Sequence, residues 1–509
     1  MYQYEHQNIV NVISEIETNF PVHNLIFHGN KIWPVLKTNF NLQMLLNNSE
    51  SIAKSEVAQK KFKQKIGDII LAYRNFKHTK AQYKKELNEF KLKTNIPQNS
   101  EYVFITFSSF RTKKINNIFY DTQVDPFFST VINSANFHVI EFSFDKASNQ
   151  NSLSPSYNAN ALKARAEVNL KKNKIKHYIF DLVGYNQNKK LKQLISDLQN
   201  FIKEKNYSIS INYEYVFEQL DSIILLKNEF IKFYKKLKPK FVLTPSYFNH
   251  ESFASTLACN ELGIKTIEIQ HGVYGQPIYK YYGTAPKNGY EMLPDYFFSW
   301  DQDQAHLINS WANKTNKHKA LVYGLNALTF WQKNKDSFIN DDFEQLLPIL
   351  NQEEKTKILF TISDLIDEKL PLLIKRTENT CFWFIRNHPR TKNAPFIADF
   401  EKKMKELGCG NYEINHSTNA PLYSLLWKMD YHITMISSVV CEASSIGLPS
   451  LVISESGRQL FHEFYEKNPL VIFTTNSDEI FKKINEKRTN KNQLSADSNN
   501  KFENFIKSI

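Results

Sequence analysis

Two stretches of this chain concentrate side chains able to do chemistry. They are Phe384-Ile385-Arg386-Asn387-His388-Pro389-Arg390 and Met435-Ile436-Ser437-Ser438-Val439-Val440-Cys441-Glu442-Ala443-Ser444-Ser445-Ile446-Gly447-Leu448-Pro449. Each begins where an apolar run reads as the end of a strand. Ligands of open α/β sheets sit outside the carboxyl ends of the strands, so the pair points to a nucleotide pocket. Arg386, His388 and Arg390 are donors suited to a phosphate or diphosphate, and Pro389 stiffens the turn that presents them. Ser437 and Ser438 open the following helix, where free amides and serine hydroxyls favour an anion. Glu442, a turn further on, suits ribose hydroxyls or simply favours the helix start.

A third candidate is Gln270-His271-Gly272, at the end of the strand Thr266–Ile269. An imidazole with an ordinary pKa of about 6.5 accepts a hydroxyl proton at neutral pH. Gly272 permits a tight turn or close ligand approach. The loop from Val273 to Gly289, rich in glycine and tyrosine, reads as an acceptor-facing flap or a long surface connection. His28, in His28-Gly29-Asn30-Lys31, and His416, in His416-Ser417-Thr418, are further candidates for the acceptor or cleft side. Asn387 and Ser363-Asp364 lie near the same sheet edge. His432, inside a strand, reads as a satisfied core residue. Asp301-Gln302-Asp303 reads as a helix cap rather than a metal pair. No phosphate-loop, dinucleotide-binding or His-Glu-x-x-His pattern occurs.

The elements that would position these residues alternate along the chain. Strands are predicted at 23–29, 102–107, 241–245, 266–269, 296–300 and 320–324, with a helix from Glu251 to Leu262 stopped by Gly263. A second series runs through 357–362, 382–385, 431–435, 450–453 and 470–473. Strands alternating with helices imply right-handed crossovers and parallel sheets. Residues 325–353 read as a connector, and the polar tail from 476 as helical. No internal repeat is evident.

At 509 residues the chain exceeds what one core organises, and its 42% hydrophobic content supports two. No apolar run reaches the ~18 residues of a membrane span. The amino terminus lacks a basic start followed by an apolar stretch, and the four cysteines are scattered without metal or disulfide spacing. A cytoplasmic protein is expected. The net charge of +12 is uneven: Lys54 to Lys93 holds twelve basic residues against four acids. Within it Ile66, Ile69, Ile70, Tyr73 and Phe76 recur at helical spacing. Such a segment suits anionic lipid or phosphorylated substrates, or is a solvated helix face. Nucleic acid is the competing partner, but no familiar nucleic-acid module is visible.

Glu442-Ala443-Ser444-Ser445-Ile446-Gly447-Leu448-Pro449 resembles the Glu-Ala…Gly-x-Pro element of GT-B glycosyltransferase donor domains. His388-Pro389 with Ser437-Ser438 looks like the paired motifs of bacterial transferases that use CMP-activated acidic sugars, the sialyltransferases and capsular Kdo transferases. Gln270-His271-Gly272 is similar to a motif of capsule-synthesis and polyol-phosphate transferases. The resemblance covers roughly 240–475.

It implies an α/β, GT-B-like fold: two Rossmann-like domains facing a cleft, with a basic helical insertion in the amino-terminal part. The expected division is an acceptor-side domain over 1–325 (basic helical segment 49–95), a linker over 326–353, a donor domain over 354–480 and a helical tail over 481–509. By the resemblance, His388, Ser437 and Ser438 would hold the donor phosphate and Glu442 would contact the ribose, and the neighbouring Arg386, Pro389 and Arg390 are expected on the same nucleotide site by their chemistry. His271 would sit across the cleft as general base or phosphate contact, with Gln270, Gly272, His28 and His416 expected on the acceptor or cleft side. The implied activity is a metal-independent glycosyltransferase without cofactor. It would take a nucleotide-sugar donor, a CMP-sugar favoured, and a bacterial surface glycan or lipid-linked acceptor, at the inner face of the plasma membrane. One departure stands out: no amino-domain aspartate motif of the sialyltransferase kind is found. A CDP-polyol phosphotransferase, a nucleotide-sugar epimerase and a non-catalytic polysaccharide-assembly protein remain open.

Overall fold

A computed structural model of the chain describes residues 5–46, 71, 73–81, 100–111, 113–115, 118–131, 136–143, 152–182, 189–207, 209–275, 277–280, 285–362, 366–388, 394–465, 468–486 and 501–508. Pro389, Arg390, Ser363, Asp364 and most of the basic segment lie outside them.

The strands, in chain order, are β1 (Ile26–Phe27), β2 (Asn30–Lys31), β3 (Tyr102–Phe107), β4 (Lys113–Ile115), β5 (Ile118–Tyr120), β6 (Phe137–Phe142), β7 (Tyr157–Asn158), β8 (Phe241–Thr244), β9 (Lys265–Ile269), β10 (Tyr296–Ser299) and β11 (Lys319–Val322). A second series follows: β12 (Thr356–Ile362), β13 (Cys381–Asn387), β14 (Tyr412–Glu413), β15 (Tyr431–Thr434), β16 (Ser450–Val452) and β17 (Val471–Phe473). They form two large sheets, ordered β11-β10-β9-β8-β3-β6-β7 and β14-β13-β12-β15-β16-β17. Every pairing within them is parallel. Continuous apolar runs such as Tyr102–Phe107, buried at every position, are what a sheet covered on both faces requires.

Both sheets wind outward from a first central strand and then reverse, the doubly wound order. The reversal falls between β3 and β8 in the first sheet and between β12 and β15 in the second. The chain thus repeats a topology without a repeat visible in its residues. Two Rossmann-like α/β units in this relation are a GT-B-like fold.

The units meet at the carboxyl ends of their strands. Val273, just past β9, shares a buried apolar cluster with Val440, Cys441, Val452 and Phe461 of the second unit, against which Trp300 and Leu307 pack. The β4–β5 hairpin places Ile115 and Tyr120 among Phe330, Phe338, Phe384 and Leu425. Buried charges hold the base of that hairpin. Arg111 Nε donates to Glu141 at 3.0 Å, and Thr106 Oγ1 donates to Asp121 at 2.7 Å.

Two expectations change, and a third, the helical tail, is met but packs more closely than its polarity implied. Residues 23–29 form a one-turn helix (Val22–Asn24) and the first half of the β1–β2 hairpin. Residues 326–353, read as a linker, hold the helices Asn326–Asn334 and Asp341–Leu350. Their Leu328, Trp331, Phe343 and Leu346 join the second unit's core. The tail holds helices Ser477–Ile484 and Lys501–Ser508, and the last buries Phe502 and Phe505 against the first sheet. All three segments are too short or too polar to announce their packing by periodicity alone.

Candidate functional site

His271 follows β9, one strand out from the strand-order reversal of the first sheet. Its ring stands 6.0 Å, centroid to centroid, from Phe110, which follows β3, and 5.9 Å from Phe248, which follows β8. The two aromatics strip water from the imidazole. Nδ1 is shielded and makes no hydrogen bond, and burial pushes the pKa down to about 4, with the Pro245 carbonyl pulling the other way. The ring is therefore neutral at pH 7 and a weaker base than the expected exposed imidazole.

Gln270 fixes the turn that presents this ring. Its side-chain amide donates to the Gly272 carbonyl at 2.8 Å and to Gln304 Oε1 at 3.0 Å, and its Oε1 accepts from the Trp300 amide at 2.7 Å. Gly272 has no left-handed backbone, and a Cβ there would meet no protein atom within 4 Å, so the turn itself does not require glycine. Below the turn Glu268 is fully buried, the Tyr279 hydroxyl donating to Oε1 at 3.2 Å and the Tyr247 backbone also donating to the carboxyl. Burial holds its carboxyl well above the usual carboxylate range.

On the other wall the strand β15 ends at Thr434, beside the reversal of the second sheet. Thr434 Oγ1 accepts from the Ser437 amide at 3.0 Å, and Ser437 Oγ accepts from the Val439 amide at 3.3 Å. Ser437 therefore caps the seven-residue helix Val439–Ser445, while Ser438, half-buried, makes no capping bond. Val440 and Cys441 of this helix belong to the cluster that includes Val273, so the serine turn and the His271 turn flank one contact. Glu442 is half-buried, with Oε2 shielded and unpartnered, and burial pushes its pKa up to about 7.

His388 is half-buried past the end of β13, its amide donating to the Ile362 carbonyl at 3.0 Å. It thereby extends the β12–β13 pairing, one strand out from the reversal. Arg386 departs from its expected role. Its Nη1 donates to the carbonyls of Ser417 (2.8 Å) and Ala420 (2.6 Å), closing the end of helix Asn415–Asn419. Strand alternation explains this: Arg386 and His388 share one face of β13, but only His388 clears the sheet edge. Asn387 takes the opposite face, buried, its amide donating to Thr418 Oγ1 at 3.1 Å.

The two outlying histidines are engaged elsewhere. His28 lies on the exposed β1–β2 turn, edge-on to Phe27, and the hairpin is tied through Lys31 to Glu291 at 2.7 Å, in the stretch that enters β10. His416 Nδ1 meets Asp342 Oδ1 at 2.9 Å, on the helix that had read as linker. His432 bridges Thr361 and Ser450 in the core, as its place within a strand implied. Asp301 caps its helix, Oδ1 accepting from the Gln304 amide at 2.8 Å. Among the described residues no group of three or more His, Cys, Asp or Glu is placed to hold a metal.

Sequence reasoning missed Phe110, Phe248 and Gly457. The first two follow strands that were legible, so strand-end inspection would have found them. Gly457 carried no such signal. A Cβ there would collide with the Met435 carbonyl and Val452, a closeness only the folded packing creates.

No protein-family model matches the chain, and no curated protein matches it in sequence. Solved structures with a similar chain path include the UDP-GlcNAc 2-epimerase of Neisseria meningitidis bound to UDP-GlcNAc (14% identity, TM-score 0.44, covering 75% of this chain and 90% of that one). Another is the UDP-GlcNAc 2-epimerase of Methanocaldococcus jannaschii (14%, 0.46, 80% and 99%). A third is the wall teichoic acid polymerase TagF with CDPG (11%, 0.41, 84% and 89%). Identities and TM-scores this low describe a chain path and leave the chemistry to the residues themselves.

Proposed function

We propose that this protein is a GT-B-type glycosyltransferase that moves a sugar from a nucleotide donor, a CMP-linked acidic sugar favoured, to a surface-glycan or lipid-linked acceptor hydroxyl. The observation that supports the reading is that the His271 turn, one strand out from the reversal of the first sheet, and the Ser437-Ser438 turn, at the reversal of the second, flank one contact between the units, with His388 on the same strand-end edge of the second sheet. Ligands of open α/β sheets sit at such strand ends, which supports placing donor and acceptor on the two sides of this contact.

In this reading the amides and hydroxyls of the serine turn, with His388, hold the donor phosphate. They stabilise the charge that builds as the bond from the sugar anomeric carbon to the phosphate oxygen breaks. His271 takes the acceptor hydroxyl proton as the new glycosidic bond forms, and Phe110 and Phe248 keep water from the base. Glu442, titrating near neutrality, faces the ribose as proton donor or acceptor. Arg386 acts on the fold and not on the phosphate. The chemistry is proposed to need no metal; loss of activity in EDTA that Mn²⁺ restores contradicts that part.

The test is the shift of the unfolding midpoint by CMP, CDP, UDP and GDP, measured on wild type and on His388→Ala. A ligand of the native state stabilises it by mass action, about 2.7 kcal/mol at a hundred times its Kd. A shift with CMP that His388→Ala removes is the expected result. A shift with CDP alone redirects the assignment to polyol-phosphate transfer, and conversion of a nucleotide-sugar donor in the absence of any acceptor, followed separately by chromatography, redirects it to an epimerase. Indifference to every nucleotide overturns the proposal in favour of a non-catalytic assembly protein.

A further inference from the structure

A helix of a folded domain normally buries an apolar stripe against its neighbours. The helix within residues 71–81 does not. None of its described side chains is buried, and Leu71 and Tyr73 are 58% and 49% exposed. Tyr73 and Phe76 share one face, their rings 6.4 Å apart. Lysines border the same face. Lys77 Nζ lies 4.9 Å from the Tyr73 ring, and Lys80 Nζ lies 5.8 Å from the Phe76 ring. Among the described residues, no carboxylate pairs with Arg74, Lys77 or Lys80.

Exposed aromatics interleaved with lysine are costly in water and suited to the boundary between lipid headgroups and acyl chains. There the rings enter the boundary, the lysine stems lie along it, and the ammonium groups reach the phosphates. We propose that this helix docks the protein on an anionic lipid surface, with Tyr73 and Phe76 as anchors and Arg74, Lys77 and Lys80 as phosphate contacts. Charge selects the occupant. The surrounding sequence carries twelve basic residues against four acids from Lys54 to Lys93, which repels a second copy and attracts an anionic surface. The sequence also continues the stripe at helical spacing through Ile66, Ile69 and Ile70. The inference is independent of which donor the cleft takes.

Flotation of the full-length protein with phosphatidylcholine vesicles, with and without phosphatidylglycerol, tests it. The expected result is flotation only with phosphatidylglycerol, weakened by salt. Each lysine contributes about a fivefold change in partitioning, so Lys77→Gln with Lys80→Gln lowers it about 25-fold. Tyr73→Ser with Phe76→Ser releases the protein while leaving the unfolding midpoint and its nucleotide shifts unchanged, because neither ring is in the core. Equal binding to neutral vesicles, or none to either, overturns the proposal. So does a concentration-dependent dimer in ultracentrifugation that the Tyr73→Ser/Phe76→Ser variant abolishes, which gives the stripe to a second copy.

Discussion

At the scale of single residues, what matters is which protonation state burial selects. His271 carries no charge at pH 7, because two aromatic rings and the sheet edge exclude water from it. A neutral imidazole is competent as a base over the whole range above its pKa and loses that competence only as protons bind. The rate attributable to His271 therefore stays level from neutral pH downward and falls only near pH 4, rather than near the ordinary value of about 6.5. The pH profile of kcat/KM measures this directly. His271→Ala is expected to lower kcat by 10²–10⁴, roughly the range of general-base catalysis, with the nucleotide-induced thermal shift retained. A profile that breaks near 6.5 indicates a base other than the buried histidine. Arg386 shows the opposite lesson: a residue type ideal for phosphate is drawn into closing a helix end because its strand position stops short of the edge.

At the scale of elements, the Ser437 turn depends on how closely helix Glu455–Tyr465 approaches the end of β15. Ser454 Oγ donates to the Met435 carbonyl at 2.7 Å and accepts from the Gly457 amide at 3.0 Å. That arrangement brings Gly457 so near the Met435 carbonyl that no side chain fits. Gly457→Ala must push the helix away from the chain that leads into Ser437. The expected cost is about 1–3 kcal/mol of stability, with weaker nucleotide binding alongside. Chemical denaturation and the thermal-shift assay read the two effects separately. A variant with native stability shows that the helix accommodates the added methyl without moving.

At the scale of the whole molecule, the chain fastens its two units in several places. Val273 packs with Val440 and Cys441, the β4–β5 hairpin enters the second unit's core, and helix Glu5–Asn19 touches helix Glu455–Tyr465. The last helix returns to the first sheet, where Phe502 and Phe505 lie against Tyr102, Phe241 and Tyr296. Lys501 Nζ reinforces it by donating to the Tyr323 carbonyl at 3.1 Å. Phe502→Ala opens a cavity in that layer and is expected to destabilise the protein by about 3–5 kcal/mol. Thermal unfolding is the check. No change in the midpoint means that the terminal helix is an accessory and not part of the first unit's core. Among the described residues no helix is long and apolar enough to cross a membrane.

Much of this was legible without coordinates. Runs such as Tyr102–Phe107 and Lys357–Ile362 are strands because β-branched and aromatic residues buried on both faces satisfy a parallel sheet and little else. Gly263 ends its helix with a backbone φ of 70°, which the sequence implies through glycine alone. Helix caps at Asp301 and the core role of His432 follow from local pattern too. Local pattern ends where contacts between distant residues begin. Strand order, the shared reversal of two sheets, the rings beside His271 and the space denied at Gly457 all join residues far apart in the chain. Nothing in their own neighbourhoods encodes those meetings. The sequence determined which segments could carry the chemistry, since strand ends and helix starts are properties of short windows. Only the tertiary structure decided which of those side chains face one another, because burial and the alternation of a strand's faces take effect only after the sheets have packed.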